Sequence, residues 1–258
     1  MAKIITILNQ KGGVGKTTTA INLGSYLANL GKMVLLVDID PQANATSGLG
    51  VNHRQLQSSV YDVLLLNKAV EDVIIKIEGD NFYILPSHIN LAGANIELVG
   101  MIGREFKLAK SLESVRSKWD YVLIDCPPSL GLLTINGMVA GDTILIPVQS
   151  EYYALEGLAQ LLSTINLVQT HLKPSLDILG AVVTMYDSRQ LLAQQVHAEL
   201  NNYFPNKVFK SIIPRSVRLA EAPSYGQSIL RYNPSSSAAQ AYEELAQEII
   251  NVTTIINY

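Results

Sequence analysis

The sequence predicts an α/β fold: a single domain, residues 1–258, built on a mostly parallel, twisted sheet with helices on both faces. Three observations lead to this prediction. Short apolar runs rich in β-branched residues alternate with helical patterns, which is typical of a parallel sheet. Hydrophobic residues make up 48% of the 258 residues and charged residues 16%, so a large core is available. No linker rich in Pro, Gly or Ser and no internal repeat divides the chain.

The expected elements follow one another in strand–helix order. The first strand, residues 3–8, and the second, residues 33–37, are the continuous apolar runs that buried parallel strands show. Between them, apolar side chains recur on one helical face over residues 17–30, and Gly31 ends the pattern. Further strands are predicted at residues 82–85, 121–124, 143–148, 179–185 and 208–213. Further helices are predicted at residues 91–102, 104–117, 155–171, 191–203 and 236–256.

Composition excludes several classes of protein. No run approaches the roughly 18 consecutive apolar residues that span a membrane, and the opening MAKIITILNQ has no cleavage site of secretory type. A single cysteine, Cys126, excludes an internal disulfide framework and a CxxC metal or redox site. The four histidines are scattered and do not have the spacing of zinc ligands. We therefore expect a cytoplasmic protein.

Charge is distributed unevenly along the chain. The 19 Lys/Arg and 22 Asp/Glu residues give a net charge of −3, which as a whole argues against nucleic-acid binding. Residues 173–232 differ, because seven basic residues there outnumber four acidic ones, an excess of +3. By itself, so small an excess is also what a solvated mixed surface shows.

The strongest motif is the glycine-rich loop KGGVGKTT, between the first strand and the first helix. Glycines let backbone N–H groups approach phosphate oxygens, and the helix N-terminus adds the positive end of a dipole. In such a loop Lys16 reaches the β- and γ-phosphates and the Thr17 hydroxyl binds Mg²⁺. The sequence thus predicts a P-loop fold. The predicted phosphate-binding residues are Lys11, Gly12, Gly13, Val14, Gly15, Lys16, Thr17 and Thr18.

Three aspartates follow strands near this loop. Asp125 comes after the apolar residues 121–124, the arrangement that holds Mg²⁺ beside a P-loop. Asp38 and Asp40 follow the second strand, at the edge where open α/β sheets bind ligands. Before Pro41 these two aspartates would also suit an ordinary turn, and it is the nearby P-loop that favours a functional role.

The loop departs from the usual G-x-x-x-x-G-K-[ST] pattern, since Gln10 stands at its first glycine and Lys11 is added. With VDIDPQANATSGLG after the second strand, the chain resembles the deviant Walker A ATPases, and among them the ParA/Soj partition family. The motifs YVLIDCPPSLG, VQSEYYALEG and IIPRSVRLAEAPSYG follow in the family's order, so the resemblance covers nearly the whole chain.

The resemblance implies an ATPase with Mg²⁺ in which Asp40 positions the attacking water and Asp38 supports the metal. It also implies that Lys11 reaches across an ATP-sandwich homodimer to the nucleotide on the other subunit. In that dimer Gly12 has to be small, because two backbones meet there. Spacing alone is equally consistent with Lys11 as a surface lysine beside the loop.

The resemblance further places the adenine base near Met185, Pro214 and Arg215, although ordinary strand ends would give the same sequence there. These residues lie near the ends of the predicted strands at 179–185 and 208–213. An apolar slot with backbone hydrogen-bonding groups would suit the base.

DNA contacts are implied within the basic segment. The resemblance assigns non-specific DNA binding to Arg189 and Arg218, and Arg215, Lys207 and Lys210 could join them. Such binding depends on Lys and Arg at phosphates and needs no positive net charge overall. The implied partners are a second copy of the chain, non-specific DNA of the nucleoid and a ParB/Spo0J-type protein that stimulates hydrolysis.

The main alternative is a membrane-associated positioning ATPase of the MinD kind, which shares the nucleotide site. Such proteins end in an amphipathic helix whose basic face meets anionic lipid. Residues 236–256 have an apolar stripe, but the polar face carries Glu243, Glu244 and Glu248, and no Lys or Arg follows Arg231. We therefore expect this helix to pack on the core. An iron–sulfur carrier would need more cysteines, and a tyrosine autokinase a tyrosine-rich tail.

Overall fold

The protein is described by a computed structural model over residues 1–77, 81–151 and 156–255. Within these residues one seven-stranded sheet has the order β3-β4-β2-β5-β1-β6-β7. The strands are β1 (Lys3–Ile7), β2 (Val34–Asp38), β3 (Ile75–Lys76), β4 (Phe82–Leu85), β5 (Tyr121–Asp125), β6 (Thr143–Gln149) and β7 (Asp177–Thr184). All neighbouring strands are parallel except β3 and β4. The predicted α/β class with a mostly parallel sheet is confirmed.

Helices cover both faces of the sheet, as the sequence predicts. Side chains of β2 show the division: Leu35 and Val37 pack into one hydrophobic cluster, Val34 and Leu36 into the other. The helices are α1 (Lys16–Asn29), α2 (Asn44–Gly48), α3 (Val60–Leu65), α4 (Leu91–Glu97), α5 (Lys107–Glu113), α6 (Leu132–Ala140), α7 (Glu156–His171), α8 (Leu191–Tyr203), α9 (Val217–Glu221), α10 (Ile229–Tyr232) and α11 (Ser237–Ile255). Helices α1 and α11 pack together on one face, and α3 to α7 cover the other.

The predicted strand at residues 208–213 is wrong. Val208 forms a single bridge to Ala181 of β7, and Pro214, just after the segment, forms another to Tyr186, just after the strand. Between them, the backbone N–H groups of Lys210 and Ser211 donate to the Glu248 carboxylate of α11, at 3.0 and 2.7 Å. Because these donors are occupied by a side chain, they cannot extend a ladder of hydrogen bonds along β7.

Two of the helices are shorter than the sequence predicts. The helices expected at 91–102 and 104–117 are shorter, because α4 and α5 end at Glu97 and Glu113 and only single 3₁₀ turns continue them. Gly103, with φ of +65°, lies between them in the left-handed region that breaks helices.

Residues 155 and 256 of the expected helices, and residues 152–155 of the VQSEYYALEG motif, lie outside the described residues. No described helix is both long enough and apolar enough to cross a membrane.

Candidate active site

Glycines shape the loop that joins β1 to α1. Gly13 and Gly15 have φ of +76° and +86°, a region that glycine enters at little cost. Gly12 is different, because its φ lies outside that region and a Cβ built on it would meet only the Cβ of Pro128, at 3.9 Å. An alanine side chain therefore fits at position 12, and nothing in the described part of the chain requires glycine there.

Two side chains at the carboxyl edge of the sheet hold this loop in place. The Nδ2 group of Asn9 donates to the carbonyl oxygen of Pro147 in β6, at 2.8 Å, and its Oδ1 accepts from the N–H of Lys11, at 3.0 Å. Thr184, the last residue of β7, donates from Oγ1 to the carbonyl oxygen of Val14, at 2.8 Å. The loop is thus anchored to β6 and β7, at the carboxyl edge of the sheet.

Lys16 begins α1 and is only 6% exposed. Its Nζ donates to the carbonyl oxygen of Lys11 at 3.0 Å. Burial lowers the pKa of Lys16, and the charge of Asp125 is the largest effect that opposes this. A buried ammonium group with one carbonyl partner, at the bottom of the loop, is well placed to meet an anion.

Asp125 is the least satisfied group in this region. It ends β5, is fully buried, and neither of its carboxylate oxygens has a hydrogen-bond partner among the described residues. Burial and then the charge of Asp38 raise the pKa of Asp125 well above its usual range, and the nearby side chain of Thr17 opposes the shift. A buried carboxyl group without a partner requires a proton or a cation. The charge of Lys16 already acts on Asp125, and a cation bound directly to the carboxylate would satisfy its two oxygens.

Asp38 lies opposite Asp125 in the register of β2 and β5, but its oxygens are occupied. Oδ1 accepts from the N–H of Asp40 at 3.1 Å, and Oδ2 accepts from the N–H and Oγ1 of Thr46 at 2.9 and 2.7 Å. Burial raises the pKa of Asp38 to about 6, and the hydrogen bonds from Thr46 oppose the rise. Asp38 therefore fixes the loop that follows β2.

A cavity of about 510 Å³ opens above the glycine-rich loop, a size typical of small-molecule sites. The residues predicted from the sequence that line it are Gly12, Gly13, Gly15, Lys16, Thr17, Thr18, Asp40 and Met185. Asp40 accepts from the N–H of Gln42 through Oδ1, at 2.9 Å. Three other predicted site residues do not line the cavity, because they are buried. Val14 is buried within the loop, and Asp38 and Asp125 are buried at the ends of β2 and β5.

The apolar wall of this cavity differs from the predicted one. Ile21, Leu219, Ala222 and Pro223 form it together with Met185, whereas Pro214 and Arg215 do not line it. Sequence reasoning missed the segment from α9 onward, although the EAPSYG stretch within the last motif was a signal for it.

Lys11 lies outside the cavity lining. Its Nζ is 3.7 Å from Oε2 of Glu151, and the guanidinium of Arg215 is 3.3 Å from Oε1 of the same residue. Gln149 also donates to Glu151, at 2.7 Å. Glu151, which sequence reasoning missed, therefore brings two predicted site residues together at the surface.

Both arginines predicted to bind DNA are exposed and paired with neighbouring carboxylates. Arg189, with 87% of its side chain exposed, makes two hydrogen bonds to Asp187, at 2.9 and 2.7 Å. These bonds lower the pKa of Asp187 to about 2. Arg218 donates to Glu221 at 2.8 Å, and Glu221 also accepts from the hydroxyl of Tyr232.

Lys207 and Lys210, which could join the DNA contacts, lie apart from Arg189. Lys207 pairs with Asp177, the first residue of β7, at 2.8 Å, and both lysines border a cavity at that end of the strand. Arg189 follows the other end of β7. Eight residues at about 3.3 Å each separate the two ends by roughly 25 Å. Arg215 is closer, since its N–H donates to the carbonyl oxygen of Tyr186 at 3.0 Å.

Comparisons with known proteins agree with this geometry. A family model described as an AAA domain matches residues 2–178. The sporulation initiation inhibitor protein Soj of Bacillus subtilis (strain 168) is 55% identical over 249 residues, 96% of this chain and 98% of the relative. The chromosome partitioning protein ParA of Myxococcus xanthus (strain DK1622) is 46% identical over 254 residues, 98% of this chain and 90% of the relative.

A solved structure is similar over the same extent. Cobyrinic acid a,c-diamide synthase from Mycobacterium smegmatis, with bound ATP analog and magnesium, aligns with a TM-score of 0.88 and 36% identity, over 97% of this chain and 95% of that chain. The family resemblance inferred from the motifs is therefore confirmed. The chain belongs to the ParA/Soj family of partition ATPases, within the AAA-domain model that it matches.

Proposed function

We propose that this protein is a Mg²⁺-dependent ATPase that segregates chromosome or plasmid DNA. Its ATP-bound sandwich dimer binds DNA non-specifically, and a ParB/Spo0J-type partner stimulates hydrolysis and release. The observation that carries the proposal is a pair of buried groups: the ammonium of Lys16, which lines the cavity, and the carboxyl of Asp125, which interacts with that charge and has no hydrogen-bond partner among the described residues. A bound phosphate with a divalent cation would satisfy both groups together.

Magnesium fits the residues that are present. Within the described ranges, no three or more His, Cys, Asp or Glu residues are grouped to hold a metal by themselves. Mg²⁺ seldom needs such a cage, because it usually takes one or two carboxylates together with substrate phosphates. Thr17 and Asp125 would hold it, and Asp38 would support it as a neighbouring negative charge. When bound, it would neutralise charge on the transferred phosphoryl group.

Nucleotide binding would then rest on the loop and the cavity wall. Lys16 would pair with the β- and γ-phosphates, while the loop N–H groups and the N-terminus of α1 point at the same anion. Met185 and the apolar wall would face the adenine base. Pro214 and Arg215 do not line this cavity, so their contacts to the base are proposed from the family resemblance alone.

Hydrolysis needs a group that orients water, and Asp40 is proposed for it. One carboxylate oxygen of Asp40 accepts from the N–H of Gln42, which fixes the carboxylate beside the cavity. The other oxygen can accept a hydrogen bond from the attacking water. Orientation of this kind is the main task of a protein in phosphoryl transfer, together with charge stabilisation.

Two features at the mouth of the loop support the sandwich dimer. Gly12 is not required within one chain, so a backbone of a second copy is a reason for its small size. The pair between Lys11 and Glu151 is partly exposed and 3.7 Å long, and such pairs contribute little to stability. Lys11 could therefore leave Glu151 and reach the nucleotide on the other subunit, where an added cation is worth about 10³–10⁵ in rate.

DNA, rather than lipid, is the surface that the exposed groups suit. Arg189 and Arg218 pair with carboxylates only through exposed contacts, which DNA phosphates can replace. The apolar stripe of α11, which a MinD-like protein would place on lipid, is covered here. Tyr242, Leu245 and Ile249 are buried against the core, so among the described side chains of this helix the membrane-associated alternative finds no free apolar face. The protein would accordingly be found on the nucleoid.

A retention experiment tests this proposal. The protein is passed over immobilised DNA of unrelated sequences, and over anionic liposomes, with ATP, with ADP and without nucleotide, always with Mg²⁺. We expect retention on DNA with ATP alone and none on liposomes. Retention on liposomes that depends on ATP, without retention on DNA, would refute the proposal in favour of the MinD-like alternative.

A further inference from the structure

Four buried residues beneath the cavity form a closed ring of hydrogen bonds. Asp38 accepts from the hydroxyl of Thr46, and that hydroxyl accepts from the N–H of Ser87, at 2.9 Å. The hydroxyl of Ser87 donates to the carbonyl oxygen of Asp40, at 2.6 Å. The N–H of Asp40 donates back to Asp38, at 3.1 Å. Thr46, Ser87 and Asp38 are fully buried, so water does not compete for these bonds.

Each hydroxyl in the ring has a fixed direction. Thr46 has one proton, which it gives to the carboxylate of Asp38, and a lone pair that receives the N–H of Ser87. Ser87 gives its proton to Asp40. As a result, both the N–H and the carbonyl group of Asp40 are held by this ring, and the point from which its side chain leaves the backbone is fixed.

The backbone after Asp40 makes such support necessary. Ala43, which follows three residues later, has φ of +53°, a left-handed conformation that residues other than glycine adopt at a cost. Its N–H donates to the carbonyl oxygen of Asp40, the same oxygen that accepts from Ser87. A turn of this kind persists only where its surroundings determine it. Ser87, which follows β4, therefore ties the neighbouring strand to the loop after β2.

We infer that Thr46 and Ser87 are positioning residues for ATP hydrolysis, which set the place of the Asp40 carboxylate without touching the nucleotide. Neither residue lines the cavity, so an effect on the reaction has to pass through the residues that they hold. Thr46 holds Asp38 and, through the ring, Asp40, whereas the hydroxyl of Ser87 bonds to Asp40, so Ser87→Ala tests the route through Asp40 by itself. The inference rests on the proposed function, because it assigns to Asp40 the orientation of water. It differs from a merely structural role in that it predicts a loss of turnover without a loss of nucleotide affinity.

The test compares Thr46→Val with Thr46→Ser. Valine keeps the shape but removes the hydroxyl, whereas serine keeps the hydroxyl and removes a methyl group. Turnover of ATP is measured with Mg²⁺ and DNA, and kcat and KM are determined separately. We expect kcat of Thr46→Val to fall at least tenfold with KM within about twofold, since a displacement of 1 Å at a reacting group can cost on the order of 10²-fold. Thr46→Ser should retain kcat within about threefold.

Thr253→Val is the matched control. Thr253 is also buried, and its hydroxyl bonds to the hydroxyl of Tyr121 and to the carbonyl oxygen of Ile249, both at 2.7 Å. Tyr121 begins β5, at the end of the strand opposite to Asp125. The control therefore removes a buried hydroxyl from the same fold far from the cavity, and it should leave both kcat and KM unchanged.

Ser87→Ala provides a second route if Thr46→Val does not fold. It removes the bond to Asp40 and should lower kcat in the same way. In the double variant, the fold-decrease in kcat should be smaller than the product of the two single decreases, because both substitutions act on Asp40. A kcat of Thr46→Val or Ser87→Ala within twofold of the parent overturns the inference. So does a Thr46→Ser variant as slow as Thr46→Val. If the parent itself does not hydrolyse ATP, the proposed function fails, whatever the variants do.

Discussion

Gly12→Val should convert the protein into a monomer that still binds ATP. Within one chain a Cβ at this position meets only Pro128, at 3.9 Å, which is ordinary van der Waals contact. The φ of Gly12 is also outside the left-handed region. Replacing a glycine by alanine in such a place stabilises proteins by about 0.4–1 kcal/mol, because the unfolded chain loses freedom. We therefore expect Gly12→Ala to unfold at the parent's temperature or slightly above.

Gly15 supplies the contrast within the same loop. Its φ is +86°, and a Cβ there would lie 3.7 Å from Thr184. A left-handed conformation costs residues with a side chain roughly 1–2 kcal/mol. Gly15→Ala should consequently lower the free energy of unfolding and disturb nucleotide binding in a single chain. The two variants are thus expected to fail for different reasons: Gly12→Val in assembly of the dimer, and Gly15→Ala in folding of the loop.

Three measurements on each variant separate these effects. Thermal unfolding reports stability, titration calorimetry reports ATP affinity, and light scattering after size exclusion with a non-hydrolysable ATP analogue reports the dimer. Gly12→Val should resemble the parent in the first two and remain monomeric in the third. A normal dimer of Gly12→Val that depends on ATP would refute the proposed meeting of backbones at this residue.

Three further predictions address the remaining roles. Lys16→Ala should abolish ATP binding in calorimetry, because the buried cation at the cavity is lost; an affinity within a few-fold of the parent would contradict the assignment. Asp40→Ala should keep ATP binding and form a stable dimer on size exclusion but lose hydrolysis, and normal turnover would require another group to orient water. Arg189→Ala and Arg218→Ala should each weaken DNA binding on all sequences and reduce the slope of log affinity against log salt by about one. Dimerisation with ATP, measured on the same preparations, should be unchanged.

Most strands of the sheet could be predicted, because each is indicated by a short apolar run in its own residues. Every residue of β2 is buried, and the four residues before Asp38 form a continuous apolar run. The segment at 208–213 is apolar at both ends, but the N–H groups of its two central residues are bound by Glu248, which lies on α11 far along the chain. Helix α6 was not predicted, because seven of its nine residues are buried and no polar face marks the helical period.

The same division between local and distant determinants applies to the site. The glycine-rich loop is contiguous, and Asp38 and Asp125 follow strands whose carboxyl ends share one edge, so these residues could be found from the sequence. Thr46 and Ser87 could not, because their importance arises from a contact between residues 41 positions apart. Glu151 is similar: its pairing with Lys11 depends on how β6 lies next to the glycine-rich loop.

The basic segment shows why net charge is a weak guide to the proposed DNA surface. Its excess of +3 includes Lys207, which is paired with Asp177 at the far end of β7, while Arg189 and Arg218 are each paired with a carboxylate two or three residues away. On binding DNA, these arginines would exchange their carboxylate partners for phosphates. The affinity would then depend on where exposed guanidinium groups lie close together, and not on the net charge of the segment. Asp187 is charged at neutral pH and its pKa is lowered by the hydrogen bonds from Arg189, so the phosphate contacting Arg189 would have to displace it. A salt slope reflects phosphates contacted, which makes it the measurement that distinguishes such a surface from a generally basic one.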